Sequence, residues 1–444
     1  MYFIRVRSGE KMKKISILLL LLFIFPSGIQ AAETVVKKGD LLDLKTCIAI
    51  ALSVQPDIAA YRYEAEAKAS QIRQAQKEYF PKLDVSGGYT RYQDVTINPK
   101  DPYTTIYPAH DSYNAAVTLN QNIYDFGKRE ANVKVKELNW ESSLFDLTDR
   151  QRETINSVRE AYYELLKTIR AQKVNEEKVD KFGKYEQQAA MFYKAGTRAR
   201  YDLTKASVDL SGARLDLITA QSDVKLAREQ LNNAMGITVD FEYEIADNFS
   251  FRAYPIGFEG ALETAYRQRP DLNSLFSQLA AAEKNLEMIK TEYLPRIDAQ
   301  AGYSAGGSFN PLSQGWNAGV TMSVNIFEGL VTKNRIAEQN AVINKIKAKI
   351  TSQKLQIHQD IKKAYLNLDK AEKTISVAEL QVQQATENLE LVNLKYTAGI
   401  SNPLEVTDAT VSYSDAKLKH IRALYDYKKA EANIEKAMGK MNEK

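Results

Sequence analysis

The chain has 444 residues, a formal net charge of +4, 26% charged residues and only 20 glycines and 11 prolines. Few helix breakers and many charged side chains favour long helices over a sandwich of short strands. Residues 1–31 hold five basic side chains and one acidic side chain, which accounts for the whole positive excess. The remainder is close to neutral, which argues against a basic surface for nucleic acids.

The first residues have the pattern of a secretory signal. Basic residues precede an apolar run over 15–25, and small residues follow as far as Ala31. The run is shorter than the roughly 20 residues of a membrane-spanning helix, so a signal peptide over 1–31 is a better interpretation than an anchor. Met12 is an alternative start, which would make 1–11 an extension of the gene model.

Two short motifs occur twice in the same order. The pair Pro56-Asp57 recurs at position 270, an offset of 214 residues (270 − 56). The turn that begins at Tyr193 recurs at Tyr396, an offset of 203 residues (396 − 193). Such a duplication predicts two equivalent structural units that pack against each other.

The duplication divides the chain into three parts. We expect a first repeat over 32–240, a linker over 241–257 and a second repeat over 258–444. The offset falls by 11 residues between Pro81 and Asn122, which predicts a longer surface loop in the first repeat because exposed loops tolerate insertion.

Each repeat contains an alternating segment that predicts a β-hairpin. The two hairpins lie at about 82–124 and about 296–327, and we expect a loop over 91–112 because it holds three prolines. In the second hairpin Trp316 and Val320 belong to an apolar face, whereas the intervening residues are small or polar. This pattern is typical of a barrel wall between lipid and water, although a soluble sheet can also show it.

Each hairpin is followed by paired helices, predicted over about 128–235 and about 331–438. Their first segments, roughly 128–193 and 331–396, contain no proline and would each extend for about 100 Å. A seven-residue repeat in the second segment predicts a coiled coil. The repeat consists of two rows: Ile336, Ile343, Ile350, Ile357, Ala364, Ala371, Ala378, Ala385 and Val392, and Ile361, Leu368, Ile375, Val382, Leu389 and Tyr396.

The order and spacing of these motifs resemble the TolC-like outer-membrane efflux protein family over nearly the whole chain after the signal. The resemblance implies a mainly α-helical fold with a β-barrel part. Three copies would form a twelve-stranded outer-membrane β-barrel continued by a periplasmic α-helical barrel. The motifs that carry the resemblance are Pro56-Asp57 and Pro270-Asp271, Phe80-Pro81 and Leu294-Pro295, Asn122 to Gly127 and Asn325 to Gly329, and Tyr193 to Leu203 and Tyr396 to Val406.

The resemblance also implies a function. The protein would be the outer-membrane channel-tunnel of a tripartite efflux or type I secretion system in a Gram-negative bacterium. It would conduct substrates passively when docked to an inner-membrane pump and a periplasmic adaptor (membrane fusion) protein. We expect no enzyme, cofactor or metal site, because the sequence has no P-loop or HExxH motif, and His110, His358 and His420 are scattered.

The resemblance implies a gate where the long helices turn back. Glu405 and Asp408 lie three residues apart on one predicted helical face and would form acidic rings at the narrow periplasmic end. In the alternative interpretation Glu405 completes a capping box with Asn402, and Asp408 is a solvated surface residue. The two roles are compatible.

Further residues match the latch that closes the gate in the family, among them Asp202 and Tyr396. A core tyrosine and a helix N-terminal acid are the alternatives for these two. Ser401 stands where the family has an arginine, so we expect Arg198 or Arg200 to replace it. The residues expected to dock the adaptor are Gly196, Thr197, Gly399 and Ile400.

A different function stays open at this point. A soluble periplasmic coiled-coil scaffold or adaptor would keep the helices and the duplication but bury the hairpins in a small sheet. The small, polar inner face of the strands beside an apolar outer face favours the channel.

Overall fold

The computed structural model describes residues 36–441 apart from 94, 98–103, 107, 240, 242, 248–250 and 309–312. The predicted signal over 1–31 lies outside the described residues. The elements follow one another in this order: β1 (Leu41–Leu42), α1 (Leu44–Val54), α2 (Pro56–Gln76), β2 (Lys82–Tyr92), β3 (Val95–Ile97), β4 (Thr104–Ile106), β5 (His110–Tyr124), α3 (Lys128–Lys194), α4 (Arg200–Met235), β6 (Glu244–Ile245), α5 (Phe258–Gln268), α6 (Pro270–Lys290), β7 (Arg296–Gly307), β8 (Ser313–Ser323), α7 (Val331–Thr397) and α8 (Pro403–Ala437).

The helices of the two repeats have matching lengths. Helices α1 and α5 have 11 residues, α2 and α6 have 21, and α3 and α7 have 67. Pro56 and Pro270 each occupy the first position of a helix, where the missing N–H costs nothing. At 1.5 Å per residue α3 and α7 are each about 100 Å long. Across the described ranges, no helix is both long enough and apolar enough to cross a membrane.

The predicted hairpins form one antiparallel sheet with the strand order β2-β5-β7-β8. The two repeats therefore join at β5 and β7, and β2 and β8 are the edges. Within the predicted loop over 91–112, β3 and β4 form an additional short antiparallel pair. The loop prediction was wrong there. Residues 95–97 pair with residues 104–106, and all six are β-branched, a residue type that favours strands.

Strand register separates the two faces of the sheet. Val85, Val117, Tyr303 and Trp316 lie opposite one another across the four strands. One residue away, the row is Asp84, Thr118, Gly302 and Asn317. The apolar row is exposed in the single chain. A continuous apolar face of this kind indicates a surface that meets lipid or another chain.

The coiled-coil prediction is confirmed along α7. The rows predicted seven residues apart contain side chains that are almost fully removed from solvent in contact with α8 and α5 or with the end of α3 and α4. Alanines replace isoleucines along the first row, which lets the facing helices approach more closely. The buried members are Ile343, Ile350, Ile357, Ala364, Ala371, Ala378 and Val392 in one row, and Ile361, Leu368, Ile375, Leu389 and Tyr396 in the other.

The repeated motifs of the sequence meet in space. Gly236 ends α4 in the left-handed conformation, and a Cβ on it would lie 3.0 Å from the Cα of Gln55. Gly439 follows α8 in the same conformation, and a Cβ there would lie 2.9 Å from the Cα of Arg269. Both positions therefore require glycine for two reasons, φ and space. We call this region, around Gln55, Gly236, Arg269 and Gly439, the waist.

The four long helices lie side by side. Helix α3 packs against both α4 and α8, and α7 packs against α8. Their order is therefore α4, α3, α8, α7, with α4 and α7 at the edges. Both edge helices carry exposed apolar side chains at spacings of seven or fourteen residues: Tyr201, Val208 and Leu215 on α4, and Leu366, Leu380 and Leu394 on α7.

Candidate functional site

The candidate site lies where the long helices turn back, in two turns that we call the first turn (195–199) and the second turn (398–402). In the second turn Gly399 has a φ of 76° and the N–H of Ile400 donates to the carbonyl of Lys395 at 2.9 Å. The side chain of Asn402 then accepts from the N–H of Glu405 at 3.0 Å and caps α8. Pro403 is the first residue of that helix.

The first turn has the same backbone with a different cap. Gly196 has a φ of 73°, and the N–H and the hydroxyl of Thr197 both donate to the carbonyl of Phe192 at 3.0 Å. Ala199 precedes α4 and supplies no side-chain cap. The first turn is therefore closed by Thr197, which stands in the position of Ile400 in the second turn.

One side chain connects the two turns. The guanidinium of Arg198 donates to the carbonyl of Ser401 at 3.0 Å and to that of Gly399 at 3.3 Å. Its Cζ also lies 5.7 Å from the centre of the Tyr396 ring. A positive charge over an aromatic face and two charged hydrogen bonds are both stabilising. Arg198 thus fastens the first turn to the second within one chain.

Tyr396 lies beneath Arg198 in an apolar cluster. Its side chain is 1% exposed and meets the ring of Tyr185 edge to face at 5.2 Å. Burial raises the pKa of the Tyr396 hydroxyl. That hydroxyl has no hydrogen-bond partner among the residues that the structure describes, so the expected bond to Asp202 is not formed within the chain. The core-tyrosine interpretation fits the single chain.

The other predicted latch residues differ in their surroundings. Asp202 is buried in the first turn of α4, and its N–H donates to the carbonyl of Ala199 at 3.1 Å. Arg200 is exposed and forms no ion pair or side-chain hydrogen bond with any residue that the structure describes. Of the two arginines expected to replace the family arginine, the structure therefore connects Arg198 to the second turn and leaves Arg200 at the surface.

The two predicted gate acids lie in the first two turns of α8. Glu405 and Asp408 are both exposed, whereas Val406 and Thr407 between them are buried. The hydroxyl of Ser401 donates to Oε2 of Glu405 at 2.7 Å. The N–H of Glu405 donates to Asn402, which is one half of the capping box in the alternative interpretation, but the Glu405 carboxylate binds Ser401 in place of the Asn402 N–H. Glu405 is exposed on the same face as Asp408.

A second connection between the repeats at this end was not predicted from the sequence. The hydroxyl of Thr407 on α8 donates to Oδ2 of Asp209 on α4 at 2.7 Å, and Lys205 pairs with the same carboxylate. Tyr185, which packs on Tyr396, was also missed. No local signal could have found these residues, because their partners are about 200 positions away in the chain.

This end offers carboxylates but no assembled site for chemistry. Among the described residues no group of three or more histidine, cysteine, aspartate or glutamate side chains could hold a metal ion. The fold and this end together define a class of protein: duplicated β-hairpins on one sheet, with long paired helices that end in two connected turns.

Comparisons with known proteins place this class in a family. The chain matches the model of the family described as outer membrane efflux protein over residues 47–237 and 261–440. It is 21% identical over 411 residues to outer membrane protein TolC of Escherichia coli (strain K12), an alignment that covers 87% of this chain and 80% of TolC.

Solved structures share the fold. The Campylobacter jejuni CmeC outer membrane channel has a TM-score of 0.79 and 16% identity, with 89% of this chain and 85% of CmeC covered. The open state of the Neisseria gonorrhoeae MtrE outer membrane channel has a TM-score of 0.73 and 18% identity, with 89% and 88% covered.

The chain belongs to the outer membrane efflux protein family. It is a non-enzymatic efflux channel of the outer membrane that extends into the periplasm. The alternative of a soluble periplasmic scaffold is set aside by this membership.

Proposed function

We propose that the chain works as a homotrimer that forms the outer conduit of a tripartite efflux or type I secretion system. In this proposal it docks on an inner-membrane pump through a periplasmic adaptor protein and conducts substrates passively. An export signal over residues 1–31 fits this location. The observation that carries the proposal is that the sheet and the helical layer both end in uncovered edges.

The sheet supports assembly with further copies. Strands β2 and β8 are edges with unpaired backbone groups, and four strands are too few to close on themselves. Three copies would join β2 of one to β8 of the next and give a closed sheet of twelve strands. The apolar row through Val85 and Trp316 would then face outward along its whole circumference.

The helices support the same assembly. The exposed apolar side chains of α4 and α7 lie at opposite edges of the layer, so α4 of one copy can pack against α7 of its neighbour. Spacing by seven or fourteen residues keeps these side chains on one face of each helix, which a further coiled-coil contact requires. The sheet and the helical layer therefore each have two edges that neighbouring copies can cover.

Glu405 and Asp408 are proposed as the periplasmic gate. In the trimer the exposed face of α8 would bring their carboxylates together as two rings at the narrow end. Rings of carboxylates attract cations and slow the passage of anions. The hydrogen bond from the Ser401 hydroxyl would hold the Glu405 carboxylates in a fixed position.

Arg198 is proposed as the latch of this gate, with Tyr396 as the surface on which it lies. Opening would move α7 and α8 relative to α3 and α4, and such a movement would break the bonds from Arg198 to Gly399 and Ser401. Asp202 and Arg200 are kept as candidates for contacts between neighbouring copies. The turn residues Gly196, Thr197, Gly399 and Ile400 are exposed and are proposed to meet the adaptor.

The test is planar-bilayer conductance of the purified protein beside a Glu405→Ala, Asp408→Ala variant. We expect small cation-selective steps for the natural chain, and larger steps with weaker selectivity for the variant, because the acidic rings are gone. The control is Glu387→Ala, Glu390→Ala, which removes two exposed acids with the same spacing from α7.

Each outcome bears on a different part of the proposal. Equal conductance of the natural chain and the gate variant would discard the gate but keep the conduit. An equal effect of the control variant would mean that the change in conductance comes from a general loss of negative charge and not from a gate. A folded trimer that gives no channels would overturn the proposed conduit.

A further inference from the structure

The exposed side of α8 is one narrow, polar row of side chains. Between positions 405 and 426 only seven residues are exposed, and they follow one another at alternating spacings of three and four. This spacing repeats every seven residues and keeps all of them on one face of a coiled-coil helix. We call this set the α8 row: Glu405, Asp408, Ser412, Asp415, Lys419, Arg422 and Asp426.

The charge of the α8 row changes sign along the helix. The acids nearest the second turn, which end at Asp415, are followed by Lys419 and Arg422. Lys419 lies 11 positions beyond Asp408 (419 − 408), which is about 16 Å along an α-helix. This separation is about twice the Debye length at physiological salt, so the gate acids and the basic pair act on ions separately.

Lys419 and Arg422 are not neutralised within the chain. Neither forms an ion pair or a side-chain hydrogen bond with a residue that the structure describes. Asp426, the acid beyond them, lines a cavity together with two exposed lysines of α7, Lys363 and Lys370. The other acids that line this cavity are each held in a salt bridge: Asp149, Glu153, Asp271 and Asp360.

We propose that Lys419 and Arg422 form a binding site for multivalent anions inside the tunnel, between the gate and the waist. This inference rests on the proposed function, in which three copies bring the carboxylates of Glu405 and Asp408 together as rings. The same symmetry would bring three copies of Lys419 and Arg422 together, because they share the face of the gate acids. Rings of lysine and arginine bind phosphate and other anions in pores.

An anion with several charged groups fits this site better than a monovalent anion. Asp415 lies four positions before Lys419, and Asp426 lies four positions after Arg422 (419 − 415 and 426 − 422). These acids weaken the attraction of each copy for a single charge. A molecule that carries several phosphate groups can contact basic side chains of different copies at once, and each guanidinium can bind two oxygens of one phosphate.

The test is block of the single-channel current by inorganic tripolyphosphate, added on the side of the sheet in a buffer without divalent cations. From that side the anion would reach Lys419 and Arg422 without passing the gate acids. We expect a block that deepens when the voltage drives the anion into the tunnel and weakens as salt rises. In Lys419→Gln, Arg422→Gln the concentration for half block should rise about tenfold or more.

The matched control is Arg214→Gln, Lys225→Gln, which removes one exposed arginine and one exposed lysine from α4. At the offset of 203 residues (419 − 216), positions 415, 419, 422 and 426 of α8 correspond to 212, 216, 219 and 223 of α4. Position 214 follows 212 by two and position 225 follows 223 by two, so each lies about 200° away around the helix. The control should therefore keep the block of the natural chain.

A second variant separates charge from fold. Lys419→Arg, Arg422→Lys keeps both positive charges and should also keep the block. Absence of block in the natural chain, an unchanged block in the glutamine variant, or an equal loss in the α4 control would overturn the inference.

Calorimetric titration of tripolyphosphate into the detergent-solubilised protein measures binding apart from current. Binding that the glutamine variant loses, combined with block of the natural chain, would support the site. Binding without any block would place Lys419 and Arg422 outside the tunnel and would also overturn the inference.

The conductance of the natural chain distinguishes this inference from the proposed function. Channels that conduct and are not blocked by tripolyphosphate would contradict only the anion site. A folded protein that forms no channels would contradict the conduit itself, whatever its affinity for tripolyphosphate.

Discussion

The two repeats have helices of matching length, yet each repeat contributes different side-chain contacts to the waist. In the first repeat the neutral amide of Gln55 donates to the carbonyls of Asn233 and Ala234 at the end of α4. In the second repeat Arg269 takes the place of Gln55. It lies against the end of α8 and also binds Asp271 through two hydrogen bonds of 3.0 and 2.6 Å.

At the turns the asymmetry is reversed. There the first repeat supplies the arginine, Arg198, and the second repeat supplies two backbone carbonyls and the ring of Tyr396. Tyr396 is buried beneath that arginine, whereas its counterpart Tyr193 is exposed. The two repeats therefore owe their shared backbone to the residues that they have in common. The contacts that join one repeat to the other come from positions where their sequences differ.

We expect the largest effect from substitutions of the two tyrosines. Tyr396→Ala should lower the free energy of unfolding by about 3–5 kcal/mol, because it opens a cavity in a closely packed cluster. Tyr193→Ala should cost less than about 1 kcal/mol, because an exposed side chain leaves no cavity. Denaturant unfolding of the purified variants measures both.

Tyr396→Phe sharpens this comparison. It should be neutral or slightly stabilising, since the hydroxyl that it removes is buried without a hydrogen bond. A cost similar to that of the alanine variant would mean that the hydroxyl has a partner in the assembled protein.

The second prediction tests the waist. Asp271→Ala should cost about 3 kcal/mol, because it leaves Arg269 buried with fewer partners. Asp57, the counterpart in the first repeat, is largely exposed where it pairs with Arg150, so Asp57→Ala should cost less than about 1 kcal/mol. Thermal and denaturant unfolding compare the two variants, and equal losses would contradict the asymmetry.

The waist also predicts a pH dependence. Burial raises the pKa of Asp271, but the hydrogen bonds and charge of Arg269 outweigh burial and hold it below its usual value. A lowered folded-state pKa means that the stabilisation is complete above about pH 4 and is lost as pH falls through the folded value. The natural chain should therefore lose more stability than Asp271→Asn on going from pH 5 to pH 3.

The smallest expected effect concerns the two arginines. Arg198→Ala removes two charged hydrogen bonds, worth about 1–2 kcal/mol, and should raise the open probability in bilayers about tenfold. Arg200→Ala, the exposed neighbour, should leave it unchanged. A reversed result would assign the latch to Arg200, through a neighbouring copy.

Much of the fold could be predicted from the sequence because its signals are local or periodic. The absence of proline, the seven-residue rows and the paired Pro-Asp and Gly motifs indicated both long helices and their turns. The loop over 91–112 was the weaker prediction, because the β3–β4 pair depends on residues that meet across a stretch with two prolines. The site was partly predictable: Glu405 and Asp408 share a face because of helical spacing alone.

The sequence by itself determined the duplication, the lengths of the helices and the presence of glycine at both turns, since these depend on local conformation and on a repeat that can be counted. Only the tertiary structure decided that Arg198 binds the second turn, that Tyr185 packs on Tyr396, and that Asp209 meets Thr407. These contacts join residues about 200 positions apart. They depend on which helices lie side by side, and no local pattern contains that information.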